Sequence, residues 1–273
     1  MKWLILEIFS LMFIGYLNFN NMNKIPSLIY FIISGISSLF IFMNIIYSLN
    51  YLMLNFKIYM NLMMMFSLFL KLGIFPFNLW MIYSFPLLSW NEIFIFSTLA
   101  KIIPMNMFSF FLNFNYYMLM FLTLNSIISS IFILEETNLK KILVFSSMNH
   151  SSYMIFFFFF NSQAFILYFM FYSLNTFLLL YILKKMNFKN KIFSLNLNSK
   201  INFNYIYIMI IFSYSMLPPF STFMMKWFFF NEMILIQNSI FFLIILTISS
   251  VIMTWSYLNI MNYQLILNKF SKK

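Results

Sequence analysis

Nine apolar stretches follow one another along this chain, at 3–17, 27–50, 59–84, 92–112, 117–134, 142–160, 164–183, 203–231 and 238–262, with polar segments between them. Most are near the roughly 20 residues that a helix needs to cross the hydrocarbon core of a bilayer. Lipid cannot satisfy backbone polar groups, so spanning segments are helices or closed barrels. The runs show no strict alternation of apolar and polar residues, which excludes a barrel. The expected fold class is therefore all-α, a polytopic membrane helix bundle of about nine to ten transmembrane helices. Composition agrees: 63% of the 273 residues are apolar and 8% are charged, against roughly a quarter charged in soluble domains.

The formal charge of +11 raises the question of a nucleic-acid partner. The lysines are spread between apolar spans and are not gathered into a basic domain, so nucleic acid is rejected. They sort instead by membrane side. With nine spans, Lys24, Lys140, Lys141, Lys184, Lys185, Lys189, Lys191, Lys200, Lys269, Lys272 and Lys273 fall on one face, and Lys2 and Lys57 on the other. That asymmetry is what the positive-inside rule produces, and it places the C-terminus on the inner side.

Three lysines remain, Lys71, Lys101 and Lys226, and each lies within a span. An ionised lysine at mid-bilayer costs about 2.5–3.5 kcal/mol on insertion scales, so these side chains are expected to face protein or water. The ordinary alternative for Lys101 and Lys226 is that they sit near span ends and snorkel. Lys71 is harder to explain that way, because twelve residues of its span precede it. Glu7 is the one acid well inside a span; it either pairs with a buried lysine or lies in a frayed terminus. A buried lysine whose carboxylate partner moves can gain or lose a proton. Glu92 follows Ser89 at a helix start and reads as a cap.

The two longest spans, 59–84 and 203–231, are interrupted by proline, Pro76 in one and Pro218-Pro219 in the other. Proline removes a backbone donor and frees a carbonyl. Two broken spans in corresponding positions point to a transporter of inverted repeats with its ion path near the breaks. His150 lies in SSMNHSSYM, where six of the seven residues from 146 to 152 are polar. A hydrated stripe with a proton-relaying histidine and a hydrogen-bonded packing histidine are both open readings.

There is no cysteine and one histidine, which excludes disulfides, thiolate metal sites and bis-histidine haem; haem held by His150 and a methionine is set aside. No phosphate loop or nucleophile elbow occurs. Arg and Asp are absent while Phe, Ile, Asn, Lys and Met are abundant, as in a mitochondrial gene rich in A and T that reads ATA as Met. No cleavable signal precedes the first span, as expected of a protein made inside the organelle.

Four segments in register resemble the subunit 2 family of NADH dehydrogenase, the antiporter-like membrane subunits of respiratory complex I. They are KLGIFPFNLW (71–80), STLAKIIP (97–104), LKKILVFSSMNHSSYM (139–154) and LPPFSTFMMKW (217–227). The resemblance runs from about residue 1 to 262 and implies inverted repeats with two proline-broken helices. It divides the chain into 1–134, a remnant of the first repeat, 135–262, the second repeat, and 263–273, an inner-side tail. It assigns proton transfer to Glu7, Lys71, Lys101, Lys226 and His150. It implies no cofactor in this chain, with flavin, iron–sulfur clusters and ubiquinone in other subunits. Its implied partners are other membrane-arm subunits, neighbouring antiporter-like and accessory ones, and membrane lipids; its implied place is the mitochondrial inner membrane, N-terminus toward the intermembrane space and C-terminus toward the matrix. Lys226 suits subunit 2, since subunit 4 typically has Glu there.

The chain also departs from the family. It begins near the membrane glutamate, so N-terminal helices are expected to be missing, and the last helix is expected to be reduced to NYQLILNKFSKK. Asn78 replaces a histidine, Met81 and Ile82 replace a hydrophobic-Pro pair, and Met216 and Thr222 stand where glycines are usual. The expected function is proton translocation coupled to electron transfer elsewhere in the complex. The rivals are a structural membrane-arm subunit that has lost pumping and a related cation/proton antiporter.

Overall fold

The computed structural model describes residues 2–20, 24–49, 57–108, 116–185, 209, 211, 213, 221–234 and 240–270. The expected break at Pro218-Pro219 and positions 186–200 of the long polar loop lie outside the described residues. The described elements are all helices. Six are long and apolar enough to cross a membrane, and the chain divides into two units, Met1–Leu122 and Thr123–Lys273.

The first unit holds α1 (Lys2–Asn20), α2 (Ile25–Leu49), α3 (Lys57–Leu72), α4 (Leu79–Ser84), a 3₁₀ turn (Phe85–Leu87), α5 (Trp90–Ser97) and α6 (Leu99–Met107). Helix α2 packs on α1, α3 and α4, and α6 packs on α1, α3 and α5. Phe96 of α5 lies at the centre, with ring centroids at 5.2 Å from Phe13, 5.3 Å from Tyr30, 5.4 Å from Trp80 and 5.3 Å from Phe85. Its contacts with Phe13, Tyr30 and Phe85 are edge-on, the arrangement that the aromatic quadrupole favours. In lipid the surroundings of a helix are as apolar as its side chains, so close packing rather than water exclusion holds helices together.

The span expected at 92–112 is interrupted at Thr98, which ends α5 and begins α6 with φ −112° and ψ −79°. The Thr98 hydroxyl donates to Phe94 O at 2.7 Å and the Ser97 hydroxyl to the same carbonyl at 3.1 Å. Hydroxyls that bond back to the preceding turn compete with the helix ladder and bend it. Pro104, by contrast, is accommodated inside α6.

Helix α7 (Tyr116–Glu135) leads into the second unit, which holds α8 (Leu139–Phe160), α9 (Ser162–Lys185), α10 (Ser221–Ile234) and α11 (Ile240–Phe270). Asn138 caps α8 by accepting the Lys140 N–H at 3.0 Å. Asn161 alone joins α8 to α9, its side chain accepting from the N–H groups of Gln163 and Ala164 at 3.1 and 3.2 Å. Helix α8 is the most enclosed span, with α9 and α10 against it. Phe229 of α10 sets its ring against Tyr153, Phe156 and Phe157 of α8 at 5.2–5.5 Å, so the first two residues of the phenylalanine run are core packing. Helix α11 continues to Phe270, past the expected end at 262; Leu, Gln and Asn with no Gly or Pro supply no stop signal there.

Replacing Phe96 with Ala removes the ring that four others share. The expected loss is about 3 kcal/mol, read as a lowered unfolding temperature of the assembled membrane protein; a volume-conserving Phe96→Leu should lose less than half of it.

Candidate functional site

The broken span is built by glycine before proline acts. Helix α3 ends at Leu72, and Gly73 follows in the left-handed region at φ 64°. The Ile74 N–H reaches Phe69 O at 2.9 Å and the Gly73 N–H reaches Leu70 O at 3.3 Å, the two bonds of a Schellman cap. Phe69 and Ile74, the two positions whose apolar side chains commonly accompany such caps, are both fully buried. The Trp80 indole N–H adds a third bond, to Leu70 O at 3.1 Å. A Cβ at Gly73 would run into Sδ and Cγ of Met81. The break thus lies three residues ahead of Pro76, where the sequence reading had put it. The reason is that only glycine adopts this conformation without strain.

Lys71 is the penultimate residue of α3, at the helix end where the dipole favours a cation. Its Nζ lies 3.5 Å from Glu7 Oε1 of α1. The lysine side chain is 4% exposed and the glutamate side chain 25%, so the pair is enclosed on the amine side and open on the carboxylate side. Residues 64 apart in sequence are joined by this one contact. Lys101 is also buried, three residues past the Thr98 bend. Its helix, α6, packs on α1 and α3, which carry Glu7 and Lys71. Glu92 is fully buried and completes a capping box with Ser89, its Oε2 accepting the Ser89 N–H at 2.8 Å.

The second unit treats its lysine differently. Lys226 of α10 is 3% exposed. Its Nζ has no hydrogen-bond partner among the described residues and lies 5.0 Å from the centroid of the Tyr153 ring, within range of a cation–π attraction. Tyr153 donates to Leu246 O at 2.7 Å and stacks on Tyr168 of α9 at 6.4 Å. Tyr168 shares a 2.7 Å hydrogen bond with His150 Nδ1, and Tyr172 covers the imidazole at 4.8 Å. Lys226 and His150 are therefore linked through two tyrosines. Neither tyrosine stood out in an aromatic-rich sequence; the available signal was Tyr153 three residues after the histidine, one helical turn on.

Both Lys101 and Lys226 are enclosed and do not snorkel. Three of the serines around His150 bond to their own helix: Ser146, Ser147 and Ser151 donate to the carbonyls of Leu143, Val144 and Met148 at 2.6–3.0 Å. Small residues of this kind let helices approach closely. Asn149 is the exception, fully buried with neither amide atom bonded among the described residues. Asn125 of α7, which the sequence reading passed over, donates to Met148 O and Ser152 Oγ, each at 2.9 Å.

Lipid-length helices, a span broken beside a buried lysine and two further enclosed lysines define a polytopic helical membrane protein with charge-bearing spans. The chain belongs to the NADH:quinone oxidoreductase/Mrp antiporter transmembrane family, whose model matches residues 1–254. It is similar to NADH-ubiquinone oxidoreductase chain 2 of Apis mellifera ligustica, 36% identical over 95% of this chain and 77% of the relative. The protein of the same name from Anopheles gambiae is 29% identical over 99% of this chain and 84% of the relative. In fold it resembles a chain of respiratory complex I from Thermus thermophilus, with a TM-score of 0.84 and 16% identity over 96% of this chain and 64% of that one. A chain of the Mrp complex from Dietzia sp. DQ12-45-1b matches with a TM-score of 0.75 and 15% identity, over 88% of this chain and 51% of that one.

Trp80→Phe keeps an aromatic ring, though a smaller one, and deletes the donor to Leu70 O; it should cost about 1–3 kcal/mol, checked by thermal unfolding. Glu7→Gln should cost about 1–3 kcal/mol, below the 3–5 kcal/mol of a fully enclosed pair, because its carboxylate is partly open.

Proposed function

We propose that this chain is a membrane-arm subunit of an NADH:ubiquinone oxidoreductase in the mitochondrial inner membrane, and that it translocates protons through Glu7, Lys71, Lys101, His150 and Lys226. Family membership supports the first part. The observation that carries the second is the Glu7–Lys71 contact at the end of a broken helix. The end of α3 is held by the turn at Gly73 and the Trp80–Leu70 bond rather than by a continuous helix ladder, and a small displacement there would lengthen a contact that already stands at 3.5 Å. Separation removes the negative neighbour of an enclosed amine and so alters its hold on a proton.

The other enclosed amines are proposed carriers within their own units. Lys101 serves the first. In the second, Lys226 and His150 are held by Tyr153 and Tyr168, with the imidazole as the group suited to accept and return protons near neutral pH. Electron transfer is assigned to other subunits of the complex, which drive these steps. The lysine asymmetry of the sequence supports an N-terminus toward the intermembrane space and a C-terminus toward the matrix.

Lys71→Met tests the reading. It should leave assembly largely intact and lower the ratio of protons moved to electrons transferred, measured in membranes containing the assembled complex. An unchanged ratio would overturn it. Lys226→Met should lower the same ratio, whereas Lys140→Met, at the start of α8, should leave it unchanged.

A further inference from the structure

Two polar side chains of the second unit are enclosed with no hydrogen bond among the described residues, the amine of Lys226 and the carboxamide of Asn149. Lys226 is 3% exposed and Asn149 0%. Buried polar groups nearly always have a partner, in protein or in bound water. Two such groups on packed helices therefore call for a shared explanation.

They lie on one face. At about 3.6 residues per turn, Asn149 falls between Tyr153 and Phe156 around α8, on the side against which Phe229 of α10 packs. Lys226, one turn before Phe229, lies over Tyr153, the earliest of the three α8 residues that Phe229 touches. The two helices thus run in the same sense here, and the amine sits toward the turn that carries Asn149. The neighbouring hydroxyls of Ser146 and Ser152 are taken up by Leu143 O and Met148 O of their own helix. Lys226 takes part in neither of the ion pairs, Lys71–Glu7 and Lys141–Glu136, found among the described residues.

We propose that Asn149 is a positioning residue for Lys226, joined to its amine by one bridging water, so that Nζ keeps a hydrogen bond whether or not it carries the proton. A carboxamide is fitted to this because it works in both directions: its oxygen accepts from an ammonium, and its NH₂ donates to the lone pair of a neutral amine. A carboxylate at the same place would favour the charged amine alone, and an apolar side chain would serve neither form. The amine and the two ends of the carboxamide give the water the roughly two to four polar partners that a buried water requires. Asn149 takes up no proton itself. This role rests on the reading of Lys226 as a proton carrier.

The test uses the assembled complex in membranes and two replacements close to asparagine in size. Asn149→Leu removes both hydrogen-bonding ends, and Asn149→Asp keeps the shape while favouring the charged amine. Each should lower the ratio of protons moved to electrons transferred toward the value of Lys226→Met, and neither should lower it further when combined with Lys226→Met. A density map of the unaltered complex should show a water between the Asn149 carboxamide and Lys226 Nζ, lost in Asn149→Leu. If Asn149 is only an unpaired buried amide, Asn149→Leu will raise the unfolding temperature, as deletion of an unsatisfied polar group should, and leave the ratio unchanged; that result overturns the proposal. So does a map in which Asn149 bonds elsewhere in the chain or nothing joins it to Nζ. Should Lys226→Met itself leave the ratio unchanged, the carrier reading of Lys226 fails, and the map alone decides the contact with Asn149.

Discussion

A helix that breaks inside lipid leaves carbonyls that no water can reach, and the first unit is organised around closing that deficit at the end of α3. The N–H groups of Gly73 and Ile74 and the indole N–H of Trp80 donate to the carbonyls of Phe69 and Leu70. Trp80 reaches this position because it belongs to the aromatic cluster around Phe96, which also fixes α1 and α2 through Phe13 and Tyr30. The same arrangement leaves Lys71 at the free end of α3, facing Glu7. Satisfying the break and placing the lysine are one structural problem with one solution.

The two units hold their enclosed amines by different means. Lys71 has a carboxylate, whose charge is strong and whose contact can be made or broken. Lys226 has the face of Tyr153, a weaker and geometrically broader attraction. Around it, Tyr153 and Tyr168 are each tied by a 2.7 Å hydrogen bond, to Leu246 O and to His150.

Much of the fold was legible because lipid imposes a strong length and polarity filter. The spans expected at 117–134, 142–160 and 164–183 correspond to α7, α8 and α9 within three residues at either end. Where the reading failed, local backbone chemistry was the reason. Proline was expected to mark the break near Lys71 and Pro76 does lie within it, but the helix already ends three residues earlier, at Gly73. The bend at Thr98 was missed, since a Ser-Thr pair inside an apolar run signals it only weakly.

By itself the sequence determined that this protein spans a membrane as helices, that charge inside those spans is confined to a few lysines and one glutamate, and that one span breaks beside Lys71. These follow from composition and position, because the cost of a polar group in lipid depends only on where it lies along the chain. Tertiary structure alone decided that Glu7 meets Lys71, that Lys226 lies over Tyr153 and that Tyr168 holds His150. Each of these pairs joins different helices or different turns through side-chain packing, and packing partners are set by the shapes of the helix faces that meet, which no spacing along one helix records.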